Sequence, residues 1–107
     1  MAELSAYCPE FQQTLELLGR RWTGAILRAL MSGAERFSEI AAAVPGLSHR
    51  LLACRLRELI KAGLVVRIRR GRTALYRLTE RGRALRPVFE AVDRWNTRWG
   101  VAAPGTA

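Results

Sequence analysis

Apolar residues recur along the chain at three- and four-residue steps in four stretches, each closed by a residue that stops a helix. Phe11, Leu15 and Leu18 predict a first helix over about 10–18 with one buried face, and Gly19 is placed to end it in a left-handed conformation. Trp22, Ile26, Leu27 and Leu30 predict a second over 22–31, stopped by Ser32 and Gly33. Phe37, Ile40, Ala41 and Val44 predict a short third helix over 37–44, closed by the Pro45-Gly46 turn. Ser48 then stands as N-cap to a fourth helix over 49–62, whose Leu52, Leu56, Leu59 and Ile60 fall within about 100° of one another at about 100° per residue. Gly63 tolerates the positive φ of the residue beyond a helix end.

The period then changes. Leu64–Arg69 and Thr73–Leu78 alternate partially in twos and bracket Arg70-Gly71-Arg72, which predicts a two-stranded wing over 64–78 with a basic tip. Thr79 caps a long last helix over 80–99, which Pro87 should kink or deprive of its first turn. Residues 100–107 are expected to be a flexible tail. The sum is a mainly α fold with a small β-hairpin: one winged helix-turn-helix domain over 1–99, with no internal repeat and no interdomain linker.

Charge adds a function to this outline. The formal net charge is +9, and it is concentrated: Arg50 to Arg86 holds twelve cations against two acids, and the remainder six against seven. A positive field confined to one segment is the footprint of a polyanionic partner, because each neutralised phosphate releases condensed counterions, whereas a merely solubilising surface mixes the signs. On the fourth helix, the face opposite the leucines carries Arg50, Ala53, Cys54, Arg57 and Lys61, with Ser48 and His49 at its N-terminal end. An α-helix fits the major groove, which is about 12 Å wide. Arg50 is the candidate for a bidentate contact to guanine, Arg57 and Lys61 are candidates for phosphate contacts, and His49 for backbone or base. Arg69, Arg70 and Arg72 form a basic loop suited to a narrow minor groove or to clamping the backbone. Double-stranded DNA is therefore the expected partner, with a non-specific or architectural nucleic-acid binder as the alternative.

Other classes lack their residues. No apolar run reaches the roughly 18 residues of a membrane span, and the N-terminus lacks the basic-then-apolar order of a signal peptide, so the expected location is the cytoplasm. One histidine, no glycine-rich phosphate loop and no paired carboxylates argue against an enzyme. The spacing of Cys8 and Cys54 fits no metal motif, so no metal and no cofactor are expected.

Several short runs together resemble the HxlR-type family of MarR-like winged-helix regulators. They are Cys8-Pro9, Gly19-Arg20-Arg21-Trp22-Thr23, Arg36-Phe37-Ser38-Glu39-Ile40, Pro45-Gly46-Leu47-Ser48, Arg55-Leu56-Arg57-Glu58-Leu59, Gly63-Leu64-Val65, Tyr76-Arg77-Leu78-Thr79 and the late Trp95. The resemblance implies a homodimeric transcriptional regulator on a roughly palindromic operator, with dimer contacts from the first and last helices. The chain departs from the pattern in a shorter wing without the usual proline-containing stretch, and in Arg20-Arg21 where Gly-Lys is common.

The last helix agrees with a dimer, because Leu85, Val88, Val92, Trp95 and Trp99 repeat like a coiled-coil seam; packing on its own domain is the other reading. The family also makes Cys8 a candidate sensor of oxidants or electrophiles, with Arg20 or Arg21 as neighbours favouring thiolate; a structural thiol is the equal alternative. Tyr7, Phe11, Trp22, Trp95 and Trp99 either line a pocket for a small-molecule effector or belong to core and interface.

Overall fold

The computed structural model describes residues 4–100; of the expected tail, residues 101–107 lie outside it. The order of elements is α1 (Pro9–Leu18), α2 (Thr23–Met31), α3 (Phe37–Ala43), α4 (His49–Lys61), β1 (Val65–Arg70), β2 (Thr73–Leu78), α5 (Glu80–Arg83) and α6 (Arg86–Arg98). Among the described residues no helix is long and apolar enough to cross a membrane.

The core is built where three helices meet the foot of the hairpin. Ile26 and Leu27 of α2, Ile40 of α3, Leu52, Leu56 and Leu59 of α4, and Val65 of β1 are all buried. Each such side chain taken from water contributes about 1.5–3 kcal/mol. Ile60 does not join them: it stands at the edge of the α4 stripe and remains 37% exposed.

Two expectations at the α1–α2 corner are corrected. Gly19 is right-handed, with φ −85°, and the left-handed residue is Trp22, with φ 78°. Trp22 thus precedes α2 as its N-cap instead of opening the helix. Gly19 is required for a different reason, since a Cβ there would lie 2.8 Å from the Leu15 carbonyl oxygen. The apolar face of α1 is not buried either: Phe11 and Leu15 are exposed, and only Leu17 and Leu18 pack against the core. Among the described residues no other element buries that face.

At α3 the N-cap Arg36 supplies no side-chain cap. Glu39 compensates from inside the helix, its Oε1 accepting from the N–H groups of Arg36 and Glu35, each at 2.9 Å. These bonds, that from Arg36 first, hold its carboxyl below the usual carboxylate range, so their contribution stands above that range and is lost only as pH falls through the lowered value.

The hairpin is antiparallel, registered from Val65 opposite Leu78 to Arg70 opposite Thr73, which leaves Gly71 and Arg72 as its two-residue tip. Gly71 has φ 60°, a conformation the tight turn demands. The α2–α3 link adds a bridge, Arg36 beside Leu75, and the Tyr76 N–H donates to the Glu35 carbonyl at 2.7 Å.

The single last helix expected over 80–99 is two. Proline has no N–H to donate, and its ring clashes with the carbonyl four residues earlier, here that of Arg83. The chain therefore stops a first turn, α5, and restarts as α6 with Pro87 in its opening turn, where the missing donor costs nothing. Thr79 caps α5, its Oγ1 accepting from the Gly82 N–H at 3.1 Å.

Gly82 is buried where α5 crosses the foot of the wing, and a Cβ there would lie 2.2 Å from the Leu64 carbonyl oxygen. Gly82→Ala should destabilise the protein by about 2–4 kcal/mol through overpacking against backbone. Urea unfolding measures this; an unchanged midpoint would contradict the packing described.

Candidate nucleic-acid interface

The candidate surface begins at the turn before α4. Gly46, at φ 88°, reverses the chain after Pro45, and buried Leu47 anchors it. Ser48 then caps α4, its Oγ accepting from the Leu51 N–H at 3.1 Å. This cap fixes where the helix starts and presents His49 and Arg50 at the end whose unpaired N–H groups carry partial positive charge. The His49 ring meets the Phe37 ring edge-on, with centroids 5.5 Å apart, which ties the start of α4 to α3.

Ser48, His49, Arg50, Arg57 and Lys61 are exposed, whereas Ala53 and Cys54 are half-buried at the floor of the same face. The Cys54 Sγ lies 3.7 Å from Glu58 Oε2 and donates to it. Arg69, Arg70 and Arg72 are exposed at the wing tip. Sequence reasoning did not single out Arg67, exposed on β1 two residues before Arg69, although the strand period puts both on one face.

The acids show why this surface stays positive. Glu58 pairs with Arg20 and Arg55, Asp93 with Arg28, Glu35 with Arg77 and Glu90 with Arg86. Arg50, Arg57, Lys61, Arg67, Arg69, Arg70 and Arg72 form no ion pair among the described residues. Carboxylates thus neutralise arginines elsewhere and leave the outer face of α4, Arg67 and Arg69 of β1 and the wing tip uncompensated.

Arg55 differs from its neighbours on α4. Its side chain is turned inward, with Nε donating to the Arg21 carbonyl at 2.9 Å. Sequence reasoning counted it with the basic segment; Glu58, one of only two acids there, was the available sign of an internal pairing.

A second surface lies at α1. An open groove of about 920 Å³ is lined by Leu4, Tyr7, Cys8, Phe11, Leu15 and Arg20, among others. The Cys8 thiol donates to Glu10 Oε1 at 3.4 Å. Its polar neighbour is therefore a carboxylate, while Arg20 is engaged by Glu58 and Arg21 lies over the Trp22 ring, 5.1 Å from its centroid. The tryptophans do not line this groove. Trp22 packs against the core, and Trp95 on α6 and Trp99 at its C-cap stand exposed. Leu85 is half-buried against the core, and Val88 and Val92 border another groove between α1 and α6. Among the described residues no cluster of three or more histidine, cysteine or acidic side chains is placed to hold a metal.

Helices packed behind a capped, outward-facing basic helix, followed by a basic two-stranded wing, define a winged helix-turn-helix protein. The sequence profile described as HxlR-like helix-turn-helix matches residues 17–103. The chain belongs to this family of transcriptional regulators. It is 41% identical over 98 residues to the Bacillus subtilis HTH-type regulator YvaP, covering 89% of this chain and 91% of that one. The reduced form of the Bacillus subtilis regulator YodB superposes with a TM-score of 0.79 at 38% identity, over 87% of this chain and 94% of that one. The redox regulator HypR in its reduced form superposes with a TM-score of 0.74 at 30% identity, over 83% and 91%.

Removing the α4 cap tests the construction of this surface. Ser48→Ala should cost about 1 kcal/mol of stability and fray the helix end that carries His49 and Arg50. Urea unfolding and amide exchange at Leu51 and Leu52 measure the two effects; an unchanged exchange rate at both would contradict the role of the cap.

Proposed function

We propose that the chain binds double-stranded DNA as a homodimer, reads an operator of two half-sites through α4 and the wing, and is released by a thiol-reactive or small aromatic signal received at the α1 groove. The observation that carries the DNA reading is the unpaired cationic face of α4 and the wing. In this arrangement Arg50 contacts base edges, with Ser48, His49, Ala53 and Cys54 along the same floor. Arg57, Lys61, Arg69, Arg70 and Arg72 hold backbone or minor groove. The protein works where the chromosome is, in the cytoplasm.

Dimerisation is supported by apolar surface that the described residues leave exposed. On α6 and at its C-cap, Val88, Val92, Trp95 and Trp99 are 47%, 53%, 52% and 66% exposed, and before and on α1, Tyr7 and Phe11 are 68% and 62% exposed. A two-fold axis sets the same patch against itself and removes both copies from water. Two α4 helices about 34 Å apart would then occupy successive major grooves.

The signal rests on the position of Cys8 in the wall of an apolar groove large enough for an aromatic molecule. It rests also on similarity to YodB, for which quinone-bound and diamide-treated structures are known.

Arg50→Ala should lose discrimination at particular base pairs, about 1–3 kcal/mol at each, whereas Arg70→Ala should weaken all sequences alike and lower the salt slope by about 1. Titration of duplexes chosen by selection from random DNA, against scrambled ones, measures both. A specific to non-specific ratio near one for the unmodified protein would show an architectural binder instead. For the signal, Cys8→Ser should leave operator binding intact and abolish its release by quinone or diamide. Release by quinone that persisted in Cys8→Ser would show either reversible occupation of the groove or reaction at Cys54, the other cysteine of the sequence, and not chemistry at Cys8.

A further inference from the structure

The inward turn of Arg55 belongs to a larger arrangement. Its side chain is 12% exposed, with Nη1 3.2 Å from Glu58 Oε2. The other oxygen of the same carboxylate, Oε1, lies 3.1 Å from Arg20 Nε. One carboxylate on α4 therefore holds a guanidinium from its own helix and another from the corner between α1 and α2. The main chain of that corner is held as well, through the Arg55 bond to the Arg21 carbonyl. It also reaches the turn that starts α4: a Cβ on Gly46 would lie 3.5 Å from Trp22 Cη2.

The leucine stripe beneath α4 gives adhesion but little orientation, because apolar burial is non-directional. Charge-assisted hydrogen bonds between carboxylate and guanidinium carry fixed geometry. Base recognition needs that geometry, since a bidentate contact from Arg50 tolerates little rotation or slide of the helix.

We propose that Arg20, Arg55 and Glu58 are positioning residues for DNA recognition, a latch that sets the seat of α4 against the α1–α2 corner and so determines how sharply the operator is discriminated. The proposal rests on the DNA-reading role given to α4. It has a consequence for control, because Arg20 also lines the groove that holds Cys8. A change in that groove that displaced Arg20 would reach the recognition helix through one carboxylate.

The experiment compares Arg20→Ala, Glu58→Gln, their double variant and Arg20→Lys in the full chain, on a selected duplex and a scrambled duplex of equal length. Each single variant should lower the specific to non-specific ratio by about threefold to tenfold, and the double variant should lower it no further than Glu58→Gln alone, since Arg20 acts through that carboxylate. Arg20→Lys should retain most of the ratio. The slope of log affinity against log salt should stay unchanged, because the latch meets no phosphate.

Independent surface charges give the opposite pattern, which would overturn the proposal. Arg20→Ala would weaken both duplexes equally, Glu58→Gln would strengthen both equally, and the ratio would not move. Circular dichroism confirms folding; should Arg20→Ala melt early, Glu58→Gln and Arg20→Lys carry the comparison. Arg50→Ala is the control. If it too leaves the ratio intact, the DNA-reading role of α4 fails; if it alone lowers the ratio, only the latch fails.

Discussion

The packing of one leucine stripe governs this molecule. Leu52, Leu56 and Leu59 enter the core beside Ile26, Leu27 and Ile40, and burying that side of α4 leaves its opposite side in solvent. An amphipathic surface helix that buries its apolar face presents the opposite one. Arg50, Arg57 and Lys61 are therefore displayed by a hydrophobic contact in which they take no part. The same core accepts Val65, so the wing starts from the end of α4 and its arginines are placed relative to the helix.

Electrostatics then acts by subtraction. The chain has half as many acids as cations, and Glu58, Asp93 and Glu35 each hold an arginine from another part of the fold, while Glu90 pairs within α6. Arg28 with Asp93 joins α2 to α6, and Arg77 with Glu35 joins the wing to the link before α3. The first is well exposed and of small energetic worth. Its consequence is distributional, because a carboxylate used there is absent from the outer face of α4 and the wing tip.

Much of this was legible in the sequence, and the failures have physical causes. The α4 stripe, the Ser48 cap and the hairpin tip follow from local chemistry: side-chain period, a hydroxyl one residue before a helix, and a glycine in a two-residue turn. Trp22 in a left-handed conformation was not legible, because a large non-glycine residue adopts positive φ only where tertiary packing compels it. The apolar period of α1 correctly indicated a helix, but periodicity does not say which molecule covers the face. Pro87 marked the break in the last helix in kind, and the cap at Thr79 fixed how short the detached turn would be. On α4 composition found the cations, and the helical period put Arg57 on the outer face and left Arg55 off it; what the sequence did not show is the partner that Arg55 finds. Two residues along a helix are about 200° apart, and only the position of the α1–α2 corner decides which arginine finds a partner.

The central claim is that the uncompensated face of α4 and the tip of the wing meet the duplex. Chemical-shift mapping of the isotopically labelled protein, titrated with a selected duplex, tests it most directly. The account predicts the largest perturbations at residues 48–61 and 67–72, with the exposed side of α6 little changed. Perturbations confined to α1 and α6, with α4 and the wing silent, would contradict it.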